Sequence, residues 1–152
     1  MKPLWISTIA LALACAPLDP QVSTPLSADF PSAGYHRDCA PWDGPALSFL
    51  FAGDPGEGGQ PSYPYMRIST YRPPALLEGT SFDWTGTDHN EGYAELCRAA
   101  DDCEAPHAVH VDLMGVSENG RLEGEVLVRF VDGREIMGPF SAQAVPVSLR
   151  CG

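Results

Sequence analysis

Lysine is almost missing from this chain. Lys2 is the only one, and the nine cations in all face 20 Asp and Glu, a formal net charge of −11. With lysine confined to position 2, a Schiff-base lysine, a phosphate-loop lysine and a Ser-x-x-Lys nucleophile pair are excluded. The shortage of positive charge, with a pI near 4.5, removes the basic patch that nucleic acid requires, so no nucleic-acid partner is expected. No apolar run approaches the roughly twenty residues of a membrane-crossing helix. The Gly-x-Ser-x-Gly elbow of many hydrolases is absent as well. Its nearest relative, Gly115-Val-Ser117-Glu-Asn119, falls in a turn with no helix after it. No cofactor-binding motif is present, and no cofactor is expected.

Glycine and proline, 15 of each, are abundant instead, as in a loop-rich β protein. A hydrophobic content of 44% is enough for a packed core.

The first fifteen residues carry an address. After Met1-Lys2, an uncharged stretch from Leu4 to Ala14 has the length of a signal-peptide core. It ends in Leu11-Ala12-Leu13-Ala14-Cys15, which resembles the lipobox of bacterial lipoproteins, although lipoboxes most often have Leu where Ala12 stands. The resemblance implies cleavage after residue 14, lipidation (palmitate among the acyl chains) of Cys15, and a membrane partner reached through that lipid. Ala16 resembles the outer-membrane sorting pattern. A lipid-anchored place in the bacterial cell envelope, at the outer membrane, is therefore expected. The alternative is plain cleavage at Ala12-x-Ala14, leaving a secreted or periplasmic protein.

Cysteine parity agrees with lipidation. Five cysteines are odd; setting Cys15 aside leaves Cys39, Cys97, Cys103 and Cys151, enough for two disulfides in an oxidising compartment. Of the three possible pairings we expect Cys97–Cys103, a local clasp over five residues, and Cys39–Cys151, joining the ends of the domain. The rival is Cys39–Cys97 with Cys103–Cys151. Zinc on Cys97, Cys103 and His107 is the weaker reading, and no metal site is expected.

Residues 15–37 read as a tether. Pro17, Pro20, Pro25 and Pro31 interrupt small polar residues with no apolar period, predicting an extended linker between the signal peptide (1–14) and a β domain (38–152). Within that domain Ala46–Ala52, Tyr65–Tyr71 and Thr80–Trp84 have strand composition. Residues 92–100 fit a strand or a helix, with the strand preferred. Three alternating runs follow, ending near Leu113, Phe130 and Phe140, with Asn119-Gly120 and Asp132-Gly133 between them. They predict a three-stranded meander with an inner face of Val109, Val111, Leu113, Val126, Val128, Phe130, Ile136 and Phe140. A two-residue turn at Asn119-Gly120 would set Leu113 opposite Val126. A type I turn with Gly133 as a left-handed bulge would set Val128 opposite Ile136 and Arg129 opposite Glu135. The expected fold is all-β, a sandwich of about seven antiparallel strands, with a small barrel as the alternative.

The segment Cys39-Ala-Pro-Trp-Asp-Gly-Pro-Ala-Leu47, the Cys97-to-Cys103 stretch and the spaced Gly124…Gly133…Phe140 run up to Cys151 resemble a type of small bacterial lipoprotein of unknown function. The resemblance implies a fold and no activity.

Candidate chemistry is sparse. His107 and His110, three apart in a strand, point to opposite faces and cannot share a metal. Asp88 and Asn90, with Gly92 beyond, lack the full spacing of a calcium loop and read as a solvated acidic loop. The aromatics Tyr63, Tyr65, Tyr71 and Trp84 could line a binding face or, equally, fill core or linker-covering roles. The expected function is a non-catalytic envelope module that binds a protein or a glycan. The alternative is a small extracytoplasmic hydrolase working through two inward carboxylates.

Overall fold

Apolar residues at alternate positions make most of the elements, because a strand shows successive side chains to opposite faces. The computed structural model describes residues 22–53, 61–85 and 90–146. In chain order it has β1 (Ser23–Pro25), a one-turn helix α1 (Leu26–Asp29), β2 (Ser32–Cys39), β3 (Pro45–Ala52), β4 (Tyr65–Tyr71) and β5 (Thr80–Thr85). Then come β6 (Gly92–Ala99), β7 (Asp102–Glu104), β8 (Ala108–Val116), β9 (Leu122–Arg129) and β10 (Glu135–Ala144). The protein is all-β. Residues 92–99 are a strand, as preferred. Cys15 and the signal-peptide segment, Asp88 and Cys151 lie outside the described residues.

The strands form one hydrogen-bonded path, β5-β8-β9-β10-β2-β3-β4-β6-β7, with β1 added beside β10. Ten strands thus replace the expected seven, and one continuous sheet replaces the two sheets of a sandwich. The continuity comes from β10, whose first residues pair with β1 and whose last pair with β2, both in parallel. The sheet folds over on itself. Trp84 of β5 reaches Gly92 of β6, near the opposite end of the path, where a Cβ would stand 2.9 Å from the indole ring. Phe140 of β10 meets Phe49 and Phe51 of β3 at 5.5 and 5.4 Å, edge-on contacts of the kind worth about 1 kcal/mol each beyond burial.

The expected tether is corrected from residue 23 onward, where β1, α1 and β2 belong to the folded unit. Leu26 and Phe30 are buried in the core. Two of the prolines that suggested a linker sit where no backbone N–H is needed: Pro25 caps α1 and Pro31 precedes β2, while Pro17 and Pro20 lie outside the described residues. Proline content there marks element boundaries, not disorder.

All eight residues of the predicted inner face are buried, and the β9–β10 register is as expected, Val128 opposite Ile136 and Arg129 opposite Glu135. The β8–β9 register differs. Val111, not Leu113, faces Val126. The turn is a three-residue type closed by Ser117 N–H to Arg121 O (2.8 Å), with Gly120 at φ 73°. That shifts pairing by one residue. A second irregularity between Leu113 and Gly115 shifts it by one more. Two single shifts restore the parity of a period-two pattern, so the same side chains point inward. Gly124 then lies under Phe140, whose ring would be 2.7 Å from a Cβ there.

Cys97 and Cys103 face each other across β6 and β7 and are disulfide-bonded, Cα–Cα 4.0 Å. That hairpin makes the local clasp possible, and it takes both sulfurs out of the small Glu95–Cys97–Cys103 group that could otherwise ligate a metal. Cys39 is also disulfide-bonded.

Candidate functional site

Two surface constellations concentrate the chemistry of the described residues, one on each half of the folded sheet.

The first is built by β4. Its inner residues Met66 and Ile68 are fully buried, which turns Tyr65, Arg67, Ser69 and Tyr71 outward at every second position. β3 and β6 align with it: Ser48 stands opposite Ser69, Ser69 opposite Tyr93, and Arg67 opposite Glu95. The middle of this face holds two buried hydroxyls. The Ser48 and Ser69 hydroxyls are 2.6 Å apart, and Ser48 also donates to Asp38 (2.8 Å). Both serines are buried although they point away from the core, because taller neighbours stand around them.

Those neighbours converge on one carboxylate. Tyr93 donates to Glu95 at 2.6 Å, Tyr65 donates to its other oxygen at 3.5 Å, and Arg67 lies 3.7 Å from it. Tyr63 packs against Tyr65 at 5.4 Å, and the Arg67 guanidinium sits 5.7 Å from the Tyr65 ring centre. Burial first, then the hydrogen bond to Glu95, pushes the Tyr93 hydroxyl up to about 12. Burial and the Glu95 charge likewise raise Tyr65. Both hydroxyls therefore stay protonated donors at any physiological pH. At the far end of the face Trp42 meets Tyr71 edge-on at 5.1 Å and carries Arg72 over its ring at 5.4 Å.

Three of the four aromatics singled out in the sequence, Tyr63, Tyr65 and Tyr71, share this face. Trp84 does not: it is buried against Gly92, because it alternates with the outward Asp83 on β5. Arg67, Tyr93 and Glu95 were not foreseen. The alternation Tyr65-x-Arg67-x-Ser69-x-Tyr71 carried part of that signal, but the pairing of β4 with β6 did not show in the sequence.

The second constellation lies on β5 and β8. His110 Nδ1 is 2.6 Å from Asp83 and Nε2 is 2.8 Å from Asp112, and Ser81 donates to the other oxygen of Asp112. His110 is thus more than an ordinary strand histidine. Carboxylates accept only, so both ring nitrogens donate, and the hydrogen bonds His110 gives to Asp83 and then to Asp112 raise its pKa. A charged imidazolium is no general base, and the serine beside it gives its proton to Asp112. The two carboxylates hold opposite ring nitrogens, so the three side chains do not converge on a metal position. An adjoining cleft of about 450 Å³ is lined by Asp83, Trp84, Glu91, His110, Leu127 and Arg129. His107 precedes β8 and is exposed; it joins neither group.

No family model matches the chain, and neither does any curated protein or solved structure.

Proposed function

We propose that this chain is a non-catalytic binding module of the bacterial cell envelope, anchored through lipid on Cys15 and engaging an envelope protein or glycan with the outer face of β3, β4 and β6. The carrying observation is the tyrosine face, where Tyr65 and Tyr93 are fixed from two strands on the single carboxylate of Glu95. Surface tyrosines held by hydrogen bonds present flat, amphipathic area at little cost in conformational entropy, which suits recognition. The hydrolase alternative draws less support. Its best-organised acid–base group, His110, is clamped between two carboxylates and charged, and Asp83, with its side chain 72% exposed, lacks the enclosing walls of a general acid.

The anchor is supported by the apolar leader, the Cys15 context and the even cysteine number beyond it. Replacing Cys15 with Ser is expected to move the protein out of the detergent phase; a variant that stays in the membrane fraction with unchanged gel mobility overturns the anchor. A photoreactive phenylalanine analogue in place of Tyr63, at the rim of the face, is expected to crosslink in cells to a discrete envelope component identified by mass spectrometry. Recovery of lipid and bulk porin alone overturns the binding reading.

A further inference from the structure

The corner where the chain enters the fold carries apolar side chains that the fold does not use. Val22 accepts a hydrogen bond from the Glu135 N–H (3.0 Å), which sets the entering chain beside the start of β10 and the turn before it. That turn is closed by Phe130 N–H to Arg134 O at 2.9 Å and by Gly133 N–H to Phe130 O at 3.1 Å. Turn chemistry calls for Asp132 and Gly133 there and makes no demand for a valine at 131. Val131 is nevertheless 85% exposed, more than any other large apolar side chain among the described residues, and Val22 is 64% exposed. Arginines ring the same corner. Arg134 lies over the Phe130 ring at 4.6 Å. Arg98 and Arg134 both hold Glu104 at 2.7 Å, and Arg129 holds Glu135 at 2.7 Å. Asp102 and Asp132 are paired too, with Arg98 and Arg134 respectively. These pairs offset the carboxylates without using all five donors of each guanidinium, and the three side chains stay between 35% and 51% exposed.

Resting on the lipid-anchor part of the proposed function, we infer that this corner is seated on a zwitterionic phospholipid surface, with Val131 among the headgroups and Arg98, Arg129 and Arg134 on their phosphates. Chain length sets the reach. Seven peptide units separate Cys15 from Val22, a span of at most about 25 Å when fully extended. An acyl anchor at Cys15 therefore holds this corner, and no other part of the fold, close to the bilayer. A contact too weak to recruit a free protein is populated at the local concentration, about millimolar, that a short tether imposes. The chemistry fits a headgroup layer, where an exposed apolar tip enters the interface and guanidinium groups beside it meet phosphate oxygens. On a chain of net charge −11, an anionic surface is repelled, whereas a zwitterionic headgroup offers its phosphate without net charge. Two valines are far too small an area for a stable protein partner. Leu76, Met114 and Val116 are exposed as well, but they belong to the far end of β8. Gly79 N–H bonds Leu113 O, and Val116 lies about 25 Å along the strand from Ala108, the residue that pairs with Arg129. That end points away from the anchored corner.

The test places the acylated full chain in vesicles of phosphatidylethanolamine and phosphatidylcholine whose acyl chains carry bromine near the headgroup, a contact quencher of indole fluorescence. With the wild-type emission subtracted, Val131→Trp is expected to show added emission that the brominated lipid quenches and that lies to the blue of free tryptophan. Val116→Trp, at the far end of β8, is expected to show added emission that the same lipid leaves unchanged. Arg98→Gln combined with Val131→Trp is expected to lessen the quenching. Thermal melts of each variant separate loss of contact from loss of fold. Equal quenching of the two tryptophans, or quenching of neither, in acylated and vesicle-bound protein overturns the inference and leaves the anchor standing. Quenching unchanged by Arg98→Gln in a folded protein overturns the phosphate contact of that arginine. A mature chain whose mass lacks acyl groups and which does not float with the vesicles removes the anchor, and this inference with it.

Discussion

His110 shows how much one residue's surroundings decide. Its imidazole carries two carboxylate partners, Asp83 and Asp112, on neighbouring positions of β5 and β8. The hydrogen bonds to these two groups raise its pKa, while Ser81 first and His110 next lower that of Asp112. The folded His110 holds its proton more tightly than the unfolded one, so its stabilisation is complete below the unfolded value of about 6.5 and is lost as pH rises through the folded value. Asp112 works the other way, contributing above its unfolded value and failing as acid protonates it. His110→Gln is therefore expected to lower the melting temperature most near pH 5–6, with the gap to wild type closing in alkali. The pair is solvent-exposed, so the effect is small and weakens in salt. A gap independent of pH from 5 to 9 would mean the charge contributes nothing. Gly124 is the second residue on which much turns. A Cβ there would collide with the Asp112 carbonyl oxygen and with the Phe140 ring. Gly124→Ala is expected to cost about 2 kcal/mol in denaturant unfolding, more than an alanine on the exposed side of β9 such as Glu125→Ala.

At the scale of elements, the β8–β9 hairpin depends on two irregularities that cancel. The glycine turn at Gly120 moves the register by one residue, and the bulge between Leu113 and Gly115 moves it by one more. Deleting Met114, the residue between those two, is expected to remove the compensation, so that either the turn or the apolar face must be given up. A loss of about 3 kcal/mol in unfolding free energy is anticipated, measured by urea denaturation. A variant as stable as the parent would show that the turn readjusts freely. The inner face of this hairpin was readable from the sequence because alternation is local, but its pairing was not. Both registers bury the same valines, and the choice between them is made by turn geometry and by Phe140 on β10, which needs Gly124 beneath it. In β9–β10 the choice was readable, since Arg129 and Glu135, 2.7 Å apart, fit only one of the turns considered. The opposite outcome at residues 23–39 has an equally local cause: prolines hid two core residues, Leu26 and Phe30, that make sense only once β10 is present to receive them.

For the whole molecule, the chain's own pattern was enough to establish its all-β class, most strand positions, the buried face of the meander and the local Cys97–Cys103 clasp. Each of these depends on spacing within about ten residues, where period-two alternation and turn chemistry act directly. The path of the sheet was beyond that reach. That β10 pairs with β9 on one side and with both β1 and β2 on the other, joining what looked like two sheets into one, follows from contacts more than a hundred residues apart in sequence. The same holds for the tyrosine face. Tyr65 and Tyr71 could be seen alternating with core residues, yet Glu95 and Tyr93 join them only because β4 and β6 are neighbours while β5 crosses to the other half of the sheet. Of the two roles open to Trp84 the core one holds for that reason too, since one register position on β5 separates an outward ring from one packed on Gly92. Local alternation tells which side chains share a face of a strand; which strands share a face of the protein is settled by long-range burial of Phe49, Phe51 and Phe140 against one another, and no local pattern encodes that choice.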